Sequence, residues 1–206
     1  MPISKKEIDL IAQTEGFTKG AVLKTDAQYI LAKKGEEGLR KVEAKTKEWG
    51  HHIDYSNIKN MRWLPVGFRT ISILAAKEVF KWDDKDIYDM GYSAPSYSFV
   101  VKVLTQHFLT FEQVYKAAPR SWRMHYTIGN METPEFNKKK GYSILEMKDF
   151  SIHPALCPYY AGYFLRVARL ASPFKISTVK IKESKCVHKG DDFHEFVVSW
   201  DPKSKK

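Results

Sequence analysis

The chain has 206 residues, of which 43% are hydrophobic, 28% are charged and two are cysteines, and its formal net charge is +10. These values exclude a disordered chain and a disulfide scaffold. No apolar run reaches the roughly 20 residues that span a bilayer, and the N-terminus has no signal-peptide stretch, so we expect a cytoplasmic protein. The positive charge attracts polyanions only over long range. Because no basic helix or zinc-finger spacing is present, the sequence argues against nucleic-acid binding.

The first half of the chain has helical periodicity. Ser4 stands where an N-cap would precede a short amphipathic helix, and Gly35 separates two further helices. Gly91 is expected to end one helix, and Thr110 begins a capping box whose helix should close at Pro119. The predicted helices cover residues 4–14, 21–50, 66–81, 85–91, 96–108 and 111–118.

After Pro119 the period changes from 3.6 residues to 2. Trp122, Met124 and Tyr126 alternate with polar residues, which is a strand pattern. The predicted elements of this half are strands 122–128, 142–148, 174–184 and 193–200, with an apolar helix over 155–171. The sequence therefore predicts an α+β fold with N-terminal helices packed on a C-terminal antiparallel sheet. We expect a single domain over 1–206, in which residues 1–60 form a helical N-terminal extension.

Common catalytic and nucleotide-binding motifs are absent. The chain contains no GxxxxGK[ST], GxGxxG, HExxH or GxSxG sequence, and no acid–base pair stands out. We therefore expect a non-catalytic protein.

One hairpin near the C-terminus carries candidate metal ligands. Cys186 and His194 lie four residues before and four after Gly190, so a symmetric hairpin would place them opposite each other, close enough to share Zn²⁺. Glu183 is the nearest carboxylate, but an ideal strand would point it to the other face, so it needs a bulge to join them. The alternative is that the cysteines only pack, as buried free cysteines often do. His153 and His188 are spare candidates.

The segments HPALCPYYAGYF and ESKCVHKGDDFHEFVVSW, within residues 150–200, resemble the 4-vinyl-reductase-like ligand-binding domain. That family has a cysteine near the start of a Gly-Tyr-containing helix, then an acidic residue, Cys, Gly-Asp, Cys, Phe and a short apolar strand. Cys157, Glu183, Cys186 and His194 occupy the places of its acidic residue and cysteines. The departure is His194, where the family usually has cysteine; histidine is also a Zn²⁺ ligand. The resemblance, and nothing else, brings Cys157 into the predicted metal set.

The resemblance also implies a superfamily fold shared with haem nitric-oxide-binding domains and TRAPP transport subunits. The haem-binding branch needs a proximal histidine and a Tyr-x-Ser-x-Arg clamp for the propionates. His107 lies on a predicted helix, but WRMHYTIGN contains no such clamp. The sequence therefore argues against haem, and Zn²⁺ is the cofactor that we expect.

The resemblance implies a sensor or carrier domain that buries a small, largely apolar ligand between helices and sheet. The most apolar elements must face one another, and the expected lining is Phe99, Val103, Tyr126, Tyr160 and Phe164. We expect a homodimer or a separate signalling partner. One alternative is a TRAPP-like interaction subunit whose groove is filled by its own side chains. Another is an enzyme or binder acting on a tetrapyrrole.

Overall fold

The computed structural model describes residues 3–97 and 110–204. The helices are α1 (Lys5–Ala12), α2 (Gly20–Glu48), α3 (Val66–Phe80), α4 (Asp84–Tyr97), α5 (Phe111–His125) and α6 (Leu156–Ala171). The strands are β1 (Phe17–Lys19), β2 (Trp63–Pro65), β3 (Asn130–Asn137), β4 (Tyr142–Lys148), β5 (Lys180–Lys185) and β6 (His194–Ser199). The predicted α+β class is confirmed. The predicted helix 96–108 falls almost wholly outside the described residues.

The larger sheet has four antiparallel strands in the order β3-β4-β6-β5, and β1 and β2 form a separate ribbon. Along β4 and β6 every second residue is buried, so one face of the sheet points into the protein. α6 packs on this face, where the Phe164 and Phe196 rings lie 5.2 Å apart. The buried cluster that contains Phe196 extends to Ile8 on α1. The predicted boundary at residue 60 stays a prediction.

Local sequence signals set several helix ends as predicted. The Ser4 hydroxyl accepts the Glu7 backbone N–H, and Thr110 forms a capping box with Gln113. Gly35 breaks the regular path of α2 with φ 67° and ψ −175°, a conformation that is essentially restricted to glycine.

Gly91 does not end a helix, because α4 continues to Tyr97. A β-carbon on Gly91 would lie 2.0 Å from the Tyr159 carbonyl oxygen, and one on Gly162 would lie 2.1 Å from the Tyr88 carbonyl oxygen. The two glycines therefore allow the backbones of α4 and α6 to approach closely.

The predicted strand 122–128 is wrong. Residues up to His125 are the last turn of α5, which runs through Pro119. The alternation of large residues misled because Met124 is 52% exposed, whereas Trp122 and Tyr126 are buried and their rings stack 4.2 Å apart. The buried spacing is therefore four residues, as in a helix. Tyr126 makes only an isolated bridge, to Thr18.

The strand on the sheet edge, β3, is not among the strands that the sequence predicted. β3 pairs with β4 through an irregularity between Glu132 and Glu135, which accommodates Pro134. Proline is tolerated at a bulge and on an edge strand because it has no N–H to donate. The other predicted strands are present, although 174–184 is regular only over β5. Among the described residues, no helix combines the length and the apolar character needed to cross a membrane; the cytoplasmic location stays a prediction.

Candidate functional site

A cavity of about 170 Å³ lies between α5, α6 and the inner face of the sheet. Three of the predicted ligand contacts, Tyr126, Tyr160 and Phe164, line it. The other two, Phe99 and Val103, lie outside the described residues. An engineered cavity of about 150 Å³ in another protein holds benzene, so this volume suits a molecule with one ring. Further lining residues from these and neighbouring elements include Ala21, Thr25, Val114, Ala118, Trp122, Met131, Leu145, Val167 and Val198.

A buried ion pair lies at one wall of the cavity, and its arginine is part of the lining. Arg69 on α3 is 3% exposed and Asp26 on α2 is 1% exposed. The Arg69 Nε–H donates to an Asp26 carboxylate oxygen at 2.9 Å, and Tyr159 donates its hydroxyl to the other oxygen at 2.6 Å. Sequence reasoning missed this pair. The one available signal was a cation in the first turn of the apolar helix α3, but nothing local identified the partner 43 residues away.

Arg69 also holds two tyrosines at the cavity. Its Nη1 group donates to the hydroxyl oxygens of Tyr126 and, at 3.0 Å, of Tyr160. Its guanidinium carbon lies 4.2 Å from the centre of the Tyr159 ring. Burial raises the pKa of the Tyr159 and Tyr160 hydroxyls well above the ordinary value, so both are neutral donors at physiological pH.

His125, the last residue of α5, places an imidazole on the cavity lining. Its Nδ1 lies 2.8 Å from the Ser121 carbonyl oxygen. A carbonyl can only accept, so Nδ1 carries the hydrogen in this bond, and the lone pair of a neutral ring is on Nε2. This is the tautomer in which histidine binds a metal through Nε2.

The four predicted metal ligands come together next to this cavity. The ligand atoms of Cys157, Glu183, Cys186 and His194 all lie within 4.8 Å of one another. The two sulfur atoms are 3.7 Å apart, and the Cys157 sulfur is 4.0 Å from His194 Nδ1. On a tetrahedron with zinc bond lengths, ligand atoms lie about 3.3–3.8 Å apart. The cluster therefore needs only small shifts to surround one ion.

The local structure explains how Glu183 joins the cluster. The pairing of β5 with β6 slips between Glu183 and Lys185, which is the irregularity that the sequence required for this carboxylate to change faces. Gly190 adopts φ 97° in the connecting turn, a left-handed conformation that glycine allows. The Asp191 carboxylate accepts the Cys186 backbone N–H at 2.7 Å. These contacts fix Cys186 in place.

The hydrogen bonds of His194 fit a ligand role. Its Nε2 lies 3.1 Å from the Phe150 carbonyl oxygen, and its Nδ1 lies 2.9 Å from the Glu183 carboxylate. With the hydrogen on Nε2, the Nδ1 lone pair points at a carboxylate, and a cation between them would remove this repulsion. The pKa of the Cys157 thiol is raised by burial and by the charges of Glu183 and Cys186. A metal ion reverses this effect because it binds the thiolate.

The two spare histidines lie outside the cluster. His153 is bound to Glu7, with 3.2 Å between its Nε2 and the carboxylate oxygen. The His188 ring is 5.6 Å from the His194 ring, and burial together with the neighbouring His194 and His153 lowers the pKa of His188. It is half-exposed beside the four ligands.

No family model matches the sequence, and no curated protein matches it either. Solved structures do share the fold. An H-NOX protein from S. oneidensis, described in its Fe(II)NO ligation state, is 12% identical with a TM-score of 0.62, over 89% of this chain and 99% of that one. An oxygen-binding H-NOX domain related to soluble guanylate cyclases is 10% identical with a TM-score of 0.64, over 89% and 95%.

A third structure, described by its haem redox potential and porphyrin distortion, is 10% identical with a TM-score of 0.64, over 91% of this chain and 96% of that one. At these identities the likeness establishes the fold. It confirms the α+β fold expected from the sequence, whereas membership of the wider superfamily and the 4-vinyl-reductase-like assignment stay predictions.

These structures correct the cofactor expectation. The prediction against haem is contradicted, because proteins that share the fold are described as binding nitric oxide or oxygen at iron or as tuning haem. That prediction relied on the absence of one clamp motif, and the absence of one motif does not exclude haem binding by this fold. None of the three descriptions names zinc, so the comparisons do not support a zinc site. The evidence for a metal ion at the cysteine cluster is therefore only the geometry of the cluster itself.

Proposed function

We propose that this chain is a non-catalytic sensor or carrier domain that holds a small, largely apolar ligand in the cavity between α5, α6 and the sheet. The observation that carries the proposal is the cavity itself, a partly open space of about 170 Å³ lined mostly by apolar and aromatic side chains. Close-packed protein interiors contain few voids larger than a water molecule. The fold of gas-binding H-NOX proteins supports the same reading.

The test is to fill the cavity from α5. Ala118 lines the cavity and its neighbour Ala117 does not, although both are half-buried. Native mass spectrometry of the parent protein should show retained non-protein mass, or uptake of an added one-ring compound. Ala118→Leu should abolish it and the matched control Ala117→Leu should preserve it. A parent protein that neither retains nor takes up such a molecule contradicts the proposal and favours the TRAPP-like interaction subunit.

We further propose that Cys157, Glu183, Cys186 and His194 hold a structural metal ion. A mixed set of sulfur, nitrogen and oxygen ligands suits the tetrahedral shell of Zn²⁺. Cys157 lies at the start of α6 and the other three on the β5–β6 hairpin, so the ion would tie the helix to the sheet and stabilise the fold.

Elemental analysis of protein purified without chelator or His tag tests the metal proposal. We expect one Zn²⁺ per chain in the parent, loss of the ion in Cys186→Ser, and retention in His188→Ala. The last variant is the matched control, because His188 lies beside the cluster without offering a ligand atom. A metal-free parent protein, also after incubation with Zn²⁺, contradicts the proposal.

Haem is a second candidate for the cavity, favoured by His125. His125 is among the lining residues, and its hydrogen bond through Nδ1 leaves the lone pair of the neutral ring on Nε2, the atom that axial ligation of iron would use. The fit is less good in size, because a cavity of about 170 Å³ suits one ring and would have to widen for a porphyrin, and it is also less good at the propionates. Arg69 is the only arginine or lysine among the described lining residues, and Asp26 already neutralises it. When bound, haem would supply a site for a diatomic gas.

Adding haem to the purified protein tests this candidate. A Soret band that shifts with carbon monoxide, and that is lost in His125→Ala but kept in His153→Ala, would support it. His153 is the matched control because it is bound to Glu7 and does not line the cavity. An unchanged haem spectrum in the presence of the parent protein counts against it.

A further inference from the structure

Among the described residues, the hydroxyl hydrogens of Tyr126 and Tyr160 do not all find acceptors. Arg69 donates to both hydroxyl oxygens, and the two oxygens lie 3.4 Å apart and share one hydrogen bond. Two hydroxyl groups carry two hydrogens, so one hydrogen is left over. Among the residues that the structure describes, it has no acceptor. Because both tyrosines line the cavity, this hydrogen is available to a molecule inside it.

The charge of this polar wall is balanced. The Arg69 guanidinium polarises the two tyrosine hydroxyls, which strengthens their donor character. Asp26 neutralises the guanidinium, and Tyr159 donates the remaining bond to that carboxylate. A carboxylate ligand would therefore place an unbalanced negative charge in a buried site, which is unfavourable. A neutral acceptor faces no such penalty.

We infer that the cavity selects a neutral molecule with one ring and one hydrogen-bond acceptor, such as a ring aldehyde or ketone, and that the Tyr126–Tyr160 pair donates to this acceptor. The inference rests on the proposed ligand-binding function and specifies its ligand class. The volume of about 170 Å³ sets the size, the aromatic walls favour the ring, and the spare hydroxyl hydrogen selects the acceptor.

Three probes of similar size test the inference: toluene without an acceptor, benzaldehyde with a neutral acceptor, and benzoate with an anionic one. Their affinities are measured by competition and calorimetry on the full chain. The parent should bind toluene and benzaldehyde and exclude benzoate at the same concentrations. In the double variant Tyr126→Phe/Tyr160→Phe, the ratio of benzaldehyde to toluene affinity should fall roughly three- to tenfold, the usual effect of one hydrogen bond.

The matched control is Tyr115→Phe. Tyr115 also lines the cavity, but its single hydroxyl hydrogen is shared between the backbone carbonyls of Glu135 and Ile144, so the affinity ratio should not change. The inference is overturned if benzoate binds the parent more tightly than benzaldehyde, or if the double variant keeps the parent's ratio. The comparison of benzoate with benzaldehyde uses only the parent protein, so it tests the inference even if the double variant unfolds. If the parent binds none of the three probes and retains no ligand, the proposed function itself fails.

Discussion

Removing one partner of the buried Arg69–Asp26 pair should destabilise the fold strongly. In Asp26→Leu the Arg69 charge, only 3% exposed, loses its counter-ion, and breaking a buried pair in this way costs about 3–5 kcal/mol. The Tyr159 hydroxyl also loses its acceptor, which adds about 1 kcal/mol. The free energy of unfolding should therefore fall by about 4–6 kcal/mol, a large part of the roughly 5–15 kcal/mol typical of a domain.

The double variant Asp26→Leu/Arg69→Met measures the interaction energy of the pair separately from the cost of losing each side chain. Because no charge is left unpaired, its cost should be at least about 3 kcal/mol below the sum of the two single variants. Urea unfolding followed by circular dichroism measures all four proteins. Asp89→Asn is the surface control, since its exposed partner Lys85 tolerates the loss and the midpoint should not move. The coupling of the buried pair would be refuted if the two single losses in the free energy of unfolding add up to the loss of the double variant. It would also be refuted if each single variant is within about 1 kcal/mol of the parent.

Four further changes test other parts of the structure. Gly91→Ala places a methyl group 2.0 Å from a carbonyl oxygen of α6 and should cost about 1–3 kcal/mol or more by chemical unfolding. Gly35→Ala meets no neighbouring atom but strains the backbone, so its cost of about 1–3 kcal/mol should appear without any packing change in the near-ultraviolet spectrum. Thr110→Ala removes the cap of α5 and should cost about 1 kcal/mol, which Thr110→Ser largely restores. A chelator should lower the melting temperature of the parent and leave that of Cys186→Ser unchanged.

The parts of the fold that the sequence predicted correctly depend on neighbouring residues. The Ser4 and Thr110 caps and the break at Gly35 follow from interactions within a few positions, and all three are present. The β5–β6 hairpin is also local, which explains why symmetry about Gly190 placed Cys186 and His194 near each other. Cys157 lies 29 residues before Cys186, and only a family resemblance brought it into the set.

The failures occurred where distant contacts decide the outcome. The strand was predicted over 122–128 because large residues alternate there. In the structure Trp122 and Tyr126 lie on one side of the end of α5, where Trp122 packs on α6 and Phe150. The Asp26–Arg69 pair joins two helices through side chains 43 positions apart. A sequence shows that a cation stands in an apolar helix. It does not show which carboxylate meets it.

The helix α6 connects the two candidate sites. Cys157, Tyr160 and Phe164 follow one another at spacings of three and four residues, so they lie along one side of this helix. The first contributes to the metal cluster and the other two line the cavity. An ion at the cluster would fix the first turn of α6 against the β5–β6 hairpin, and the same helix then presents Tyr160 to Arg69. The position of one helix thus links the candidate metal cluster, the cavity wall and the buried charge pair.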